Sequence, residues 1–244
     1  MKALILAAGK GTRLRPITDY IPKPMIPLQG KPLMEWVLLH LISCGVEEFV
    51  IAVSYLAEQI ENYFGTGEKW GVKINYSYGA LPAGKAGEIW RARSLLKDDK
   101  DSFLVVPGDT LCHLKYQDVL AFHQKHGGET SVVFSTQYHL EVGLAEVDTD
   151  QRIVKFLEKT NLNEPVSMGS YVLDKSIFPY IEEFDPENNE VDLPGEVFPF
   201  LLAQGVPIYG FVQDFPWWDV GRLTDYEKLV QMPKEEALKI LVMK

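Results

Sequence analysis

Cysteine is scarce in this chain: two residues, Cys44 and Cys112, among 244. Two thiols cannot form a disulfide framework, so a cystine-stapled secreted scaffold is excluded and buried thiols in a reducing cytoplasm are expected. Long apolar runs are missing as well. Stretches such as 3–8 and 49–53 fall far short of the roughly 20 apolar residues that cross a bilayer. The opening Met-Lys-Ala-Leu-Ile-Leu lacks the extended apolar core and small-residue cleavage site of a secretory leader. Positive charge is in deficit, with 24 Lys and Arg against 34 Asp and Glu and a net charge of −10. No basic stripe follows a surface that could track a polynucleotide, so nucleic acid and membrane are both excluded as partners. The five histidines, His40, His113, His123, His126 and His139, show no metal-ligand spacing, and His123 and His126 are expected on a solvated helix face. No Ser–His–Asp set can be assembled from the sequence.

What remains is ample for a globular core, since 46% of the residues are hydrophobic. The first half alternates strand-like and helix-like segments: strands over 2–8, 49–54, 73–78, 103–106 and 131–136, helices over 33–44, 57–64, 86–96 and 116–126. That alternation argues for an α/β fold with a mostly parallel sheet covered on both faces. The second half is more mixed, with strands expected over 143–148, 153–156, 169–173 and 208–212 and helices over 176–183 and 197–204. Residues 182–192, acidic and rich in Asn and Pro, are expected to be a surface loop. Residues 1–230 are expected to form one domain, and 231–244 a helical tail started by Pro233.

Ligands of parallel sheets bind where loops leave the carboxyl ends of strands. Two unusual loops sit at such ends. The first is Leu6-Ala7-Ala8-Gly9-Lys10-Gly11-Thr12-Arg13-Leu14-Arg15-Pro16, whose glycines let backbone N–H groups approach a phosphate chain. It is not a dinucleotide fingerprint, because Leu14 stands where the third glycine is needed. It is not a Walker A loop either, because Lys10 lies between the glycines. Arg13 suits bidentate contact with terminal phosphates. Lys23, held between Pro22 and Pro24, is either a positioned cation or a solvated loop lysine. The second loop carries Gly108-Asp109 after an apolar strand. Asp109 is either an Mg²⁺ ligand or a turn aspartate; Asp219, after Trp217-Trp218, is either a second ligand in an apolar neighbourhood or the cap of a helix over 223–230.

The glycine loop, Pro22-Lys23-Pro24 and Gly30-Lys31-Pro32 together resemble the signature of sugar-phosphate nucleotidyltransferases. The resemblance continues, in the family's order, through Gly84-Lys85-Ala86-Gly87, Gly108-Asp109, Phe156-Leu157-Glu158-Lys159 and Trp217-Trp218-Asp219-Val220-Gly221, covering about residues 1–230. It implies a Rossmann-like three-layer sandwich with a mostly parallel mixed sheet and no appended β-helix. It also implies an Mg²⁺-dependent enzyme that joins a nucleoside triphosphate to a hexose 1-phosphate and releases pyrophosphate, and which can form a homo-oligomer.

Residue by residue, the resemblance assigns Leu6, Ala7, Ala8, Gly9, Gly11, Thr12, Arg13, Gly84, Gly87 and Gly108 to the nucleotide. Arg13 and Lys23 become the catalytic cations, Asp109 and Asp219 the metal ligands. Gly143, Glu158, Lys159, Ser167 and Gly169 would meet the sugar phosphate. Departures from the pattern fall on the specificity positions: Lys85 for a threonine, Thr160 for a proline, Ser167 for an asparagine, and 78–82 without Gln or Glu. A cytidylyltransferase acting on phosphocholine or another non-sugar phosphate, and a catalytically silent regulatory homologue, remain as alternatives.

Overall fold

The structure is a computed structural model that describes residues 1–97, 102–127, 129–139, 144–157, 161–162 and 164–233. Its centre is a seven-stranded sheet. Five of its strands come from segments with the expected apolar runs: β1 (Lys2–Leu6), β2 (Glu48–Val53), β3 (Lys73–Tyr78), β4 (Ser102–Pro107) and, after a short strand β5 (Thr110–Cys112), β6 (Thr130–Ser135). β7 (Val166–Asp174) and β8 (Ile208–Gln213) complete it, and a short β9 (Trp217–Asp219) follows. The spatial order is β8-β6-β7-β4-β1-β2-β3. β7 alone runs against its neighbours β4 and β6, and the other pairings are parallel. The fold is therefore α/β with a mostly parallel mixed sheet, as expected.

Alternation along each strand divides the core into two layers, because successive side chains of a strand point to opposite faces. Ala3 and Ile5, Phe49 and Ile51, and Leu104 and Val106 pack on one face. Leu4, Val50, Phe103 and Val105 pack on the other. The first face is covered by α1 (Leu33–Ser43), α2 (Ala57–Phe64) and α4 (Tyr116–His126). The second is covered by α3 (Gly84–Arg91), α5 (Ile177–Glu182) and α6 (Phe198–Ala203). The last helix among the described residues, α7 (Leu223–Gln231), donates the Tyr226 hydroxyl to the Pro27 carbonyl at 2.7 Å. The expected tail helix lies, beyond Pro233, outside the described residues.

Three expectations need correction. The helix expected over 86–96 begins two residues earlier, at Gly84, and tightens into a 3₁₀ turn at Ala92–Ser94. The acidic loop is mostly exposed up to Glu190, with Pro186 buried within it; Val191 is buried and grips the start of α3. Its N–H donates to Ala83, and its carbonyl accepts from Ala86 and Gly87. His123 is 3% exposed, not solvated, because Tyr116, Val119 and His123 form the buried stripe of α4.

Gly84 makes the Val191 contact possible. Its φ is +74°, and a Cβ there would lie 2.3 Å from the Val191 carbonyl oxygen. Neither the backbone angle nor the close approach suits a side chain. Gly84→Ala is expected to lower the unfolding free energy by about 2–4 kcal/mol, read as a lower urea midpoint at unchanged slope. A loss below about 0.5 kcal/mol, the range of neutral surface changes, would show that the contact is not kept in solution.

Candidate active site

β1 ends at Leu6, and the ladder lasts one bond longer, from the Ala7 N–H to the Ala52 carbonyl at 3.0 Å. The chain then leaves the sheet. Ala8 is still buried, whereas Gly9 and Lys10 are exposed. The far side of the loop is pinned: Leu14 is 1% exposed, and the Thr18 hydroxyl donates to the Gly11 carbonyl at 2.9 Å. Gly11 has φ +61°, and a Cβ on it would meet Lys23 Cβ and Thr18 Cγ2, each at 3.0 Å. Glycine at that position thus brings the phosphate-type loop into contact with the lysine segment. Among the described residues, no group accepts from the N–H groups of Lys10, Gly11, Thr12 or Arg13, so they are free to meet an anion.

Lys23 lies in a 3₁₀ turn, Lys23–Met25, between two buried prolines. Its ammonium is 2.5 Å from Asp109 Oδ2 and 3.4 Å from Asp219 Oδ1. The two aspartates are 110 positions apart in sequence and meet through a ribbon not evident in the sequence. β5 and β9 pair antiparallel, with Thr110 opposite Asp219 and Cys112 opposite Trp217. Gly108 closes the arrangement. Its N–H donates to the Leu6 carbonyl at 2.9 Å, and a Cβ there would come within 3.2 Å of Ile5, Leu6 and Met34. The aspartate loop therefore rests directly on the end of β1.

The charges balance by contact. Burial acts to lower the Lys23 pKa, but Asp109 and then Asp219 outweigh it and hold the ammonium above its ordinary value. Asp219 is 42% exposed, so the expected apolar enclosure is not found. Ending a ribbon at the mouth of the site leaves it open to solvent on one side. It is not a helix cap, because α7 has Arg222 at its N-cap and no side-chain capping bond.

The donor set fits a hard divalent cation. Two carboxylates touch one ammonium, so their oxygens lie within reach of a common ion, and among the described residues no third acidic or thiol ligand joins them. One or two carboxylates, with phosphate and water oxygens for the rest, is the set Mg²⁺ favours.

The two loop arginines differ in surroundings. Arg15 pairs with Asp19, Nε to Oδ1 at 3.1 Å. Arg13, although exposed, reaches the same site: a Cβ on Gly221 would meet Asp219 Oδ2 at 2.9 Å and Arg13 Nη1 at 3.5 Å. The structure thus gathers Leu6 to Arg13, Lys23, Gly108, Asp109 and Asp219 into one cluster. Gly84 and Gly87 lie at the start of α3, where they admit the Val191 backbone and Ala83 respectively. On the acceptor side, Gly169 has φ +79° and abuts Pro107, and its N–H donates to the Ser167 hydroxyl at 3.3 Å. Gly143, Glu158, Lys159 and Thr160 lie outside the described residues.

The structure also assembles a Ser–His–Asp set that the sequence did not announce. His123 Nδ1 is 2.9 Å from Ser131 Oγ, and Nε2 is 3.0 Å from Asp174 Oδ1. Ser131 has no exposed surface, so no substrate reaches its hydroxyl, and the set serves to pin α4 to the sheet.

Residues 2–235 match the nucleotidyl transferase family, and the chain belongs to it. It is 36% identical over 247 residues to a UTP–glucose-1-phosphate uridylyltransferase of Synechocystis sp., covering 95% of this chain and 63% of that protein. It is 33% identical over 231 residues to the mannose-1-phosphate guanylyltransferase catalytic subunit beta of Danio rerio, covering 93% and 62%. The chain thus spans a little under two thirds of the length of these relatives. Among solved structures, HddC from Yersinia pseudotuberculosis superposes with a TM-score of 0.73 at 25% identity, over 94% of this chain and 98% of that one. A Bacillus anthracis protein provisionally named a glucose-1-phosphate thymidylyltransferase, bound to sucrose, superposes with a TM-score of 0.78 at 21% identity, over 100% and 98%, and shares the fold. Among the described residues no helix is long and apolar enough to cross a membrane.

Proposed function

We propose that this chain is a sugar-1-phosphate nucleotidyltransferase, which condenses a nucleoside triphosphate with a hexose 1-phosphate to give a nucleoside-diphosphate sugar and pyrophosphate. The observation that carries the reading is the Lys23 ammonium in contact with both Asp109 and Asp219 beside an unpaired run of backbone N–H groups. The sugar-phosphate oxygen forms a bond to the α-phosphorus as the bond from that phosphorus to the pyrophosphate oxygen breaks. Such reactions are governed by positioning and by stabilisation of spread negative charge. Arg13 and the free N–H groups of 10–13 are suited to the departing pyrophosphate. Lys23, fixed by its prolines and its contact with Gly11, presents a charge to the α-phosphate. Asp109 and Asp219 would hold Mg²⁺, which neutralises phosphate charge when bound. Ser167 and Gly169 are assigned to the acceptor, and Glu158 and Lys159 to its phosphate, by the family pattern. The relatives' names pair glucose with uridylyl transfer and mannose with guanylyl transfer at similar identity, so base and sugar are left to experiment.

The test is a pyrophosphate-release screen of each nucleoside triphosphate against hexose 1-phosphates, with phosphocholine as the non-sugar control. Turnover with a hexose 1-phosphate supports the reading; turnover with phosphocholine alone, or with none, overturns it. Within the same assay, Arg13→Ala should raise the triphosphate KM and lower kcat by at least about tenfold, as expected for a lost charge-assisted phosphate contact. Arg15→Ala should change either by less than about threefold, since its exposed pair with Asp19 contributes little. Equal effects would place the loop wrongly.

A further inference from the structure

The acceptor-side segment Met168-Gly169-Ser170 has an unusual position in the sheet. β7 pairs with β4 from Tyr171 to Asp174 only. Its pairing with β6 is interrupted between Ser167 and Tyr171 by a bulge. The three residues between therefore have no ladder partner on either side, although all are buried. A bulge re-aims the chain and leaves its orientation to other contacts.

Besides the Gly169 N–H to Ser167 hydroxyl bond within the strand, a polar side-chain contact from another element reaches this segment. The Tyr116 hydroxyl is 3.2 Å from Ser170 Oγ, with Ser170 fully buried and Tyr116 1% exposed. The same hydroxyl is 3.7 Å from Cys112 Sγ, which stands opposite Trp217 in the ribbon that ends at Asp219. The ring is held edge-on against His40 at 5.6 Å, and His40 donates Nε2–H to the Leu114 carbonyl at 2.8 Å. Burial pushes the phenol pKa well above its usual value, so the proton stays on and can be donated. A single phenol thus joins the unladdered acceptor segment to the aspartate ribbon.

We infer that Tyr116 is a positioning residue for the acceptor, setting where Gly169 lies relative to Asp109 and Asp219 through its bond to Ser170. The inference rests on the reading of Gly169 as part of the acceptor site. Tyr116→Phe keeps the ring and removes the tether. It should raise the KM for the hexose 1-phosphate about three- to tenfold, the span of one lost hydrogen bond, while the triphosphate KM moves less than about twofold. Ser170→Ala should reproduce that split, Ser170→Thr should keep the wild-type acceptor KM, and the double variant Tyr116→Phe/Ser170→Ala should be no worse than either single change. Should Tyr116→Phe fail to fold, the Ser170 pair decides alone. An unchanged acceptor KM, equal movement of both KM values, or additive effects in the double variant would overturn the inference. If the wild type turns over no hexose 1-phosphate, the functional reading has failed; if it does and the variants show no split, the tether has.

Discussion

Asp109→Asn and Asp219→Asn should each lower kcat by about two orders of magnitude or more while moving the triphosphate KM far less. Asparagine has nearly the same size but offers a neutral oxygen and an amide donor where a cation expects an anion. Each substitution also weakens the Lys23 contact, 2.5 Å to Asp109 and 3.4 Å to Asp219, and Asp109 should be the more sensitive because it is the closer and less exposed partner. The measurement is initial-rate kinetics of pyrophosphate release at saturating Mg²⁺, with a urea midpoint to confirm that the fold is intact. If either variant keeps more than about a tenth of wild-type kcat, that residue is not a ligand. Full activity of the wild type after exhaustive chelation would remove the metal from the reading altogether.

Lys23→Met should have the next largest effect, with a second readout that does not depend on turnover. The ammonium stands between the carboxylates that would hold the divalent ion. Without it, phosphoryl transfer loses a positioned charge and kcat should fall by about a hundredfold or more. Metal binding without nucleotide should tighten several-fold, because an entering ion no longer competes with the ammonium for Asp109 and Asp219. Calorimetric titration with Mn²⁺ in the absence of triphosphate measures this directly. Weaker metal binding would mean that the two aspartates depend on Lys23 to stay together, and the competition argument would fall.

The Ser–His–Asp set at Ser131, His123 and Asp174 shows how far contact geometry alone can mislead. Its distances suit proton transfer, yet the serine has no surface. The Lys23 cluster has longer contacts in part, but it opens to solvent through Asp219 and adjoins a loop of unpaired N–H groups. Access and free valence separate the two.

The sequence by itself determined the alternation of strand and helix through most of the chain, because apolar period and turn residues are local signals. It also singled out the glycine loop, its cations and the two aspartates as candidate site residues, through their types and order. Element ends were less legible: α3 starts at Gly84 rather than 86 because Val191, 107 positions away, supplies the carbonyl that accepts from its first turn. Only the tertiary structure decided that β7 runs against its neighbours and that β5 and β9 exist at all. Those strands are three residues long, too short for a period, and are stable only as partners of one another. Tertiary structure likewise decided that His123 is buried, that Asp219 is open to solvent, and that Lys23 touches both aspartates. Each depends on bringing together residues far apart in the chain, and no local pattern encodes a meeting paid for by the packing of the whole sheet.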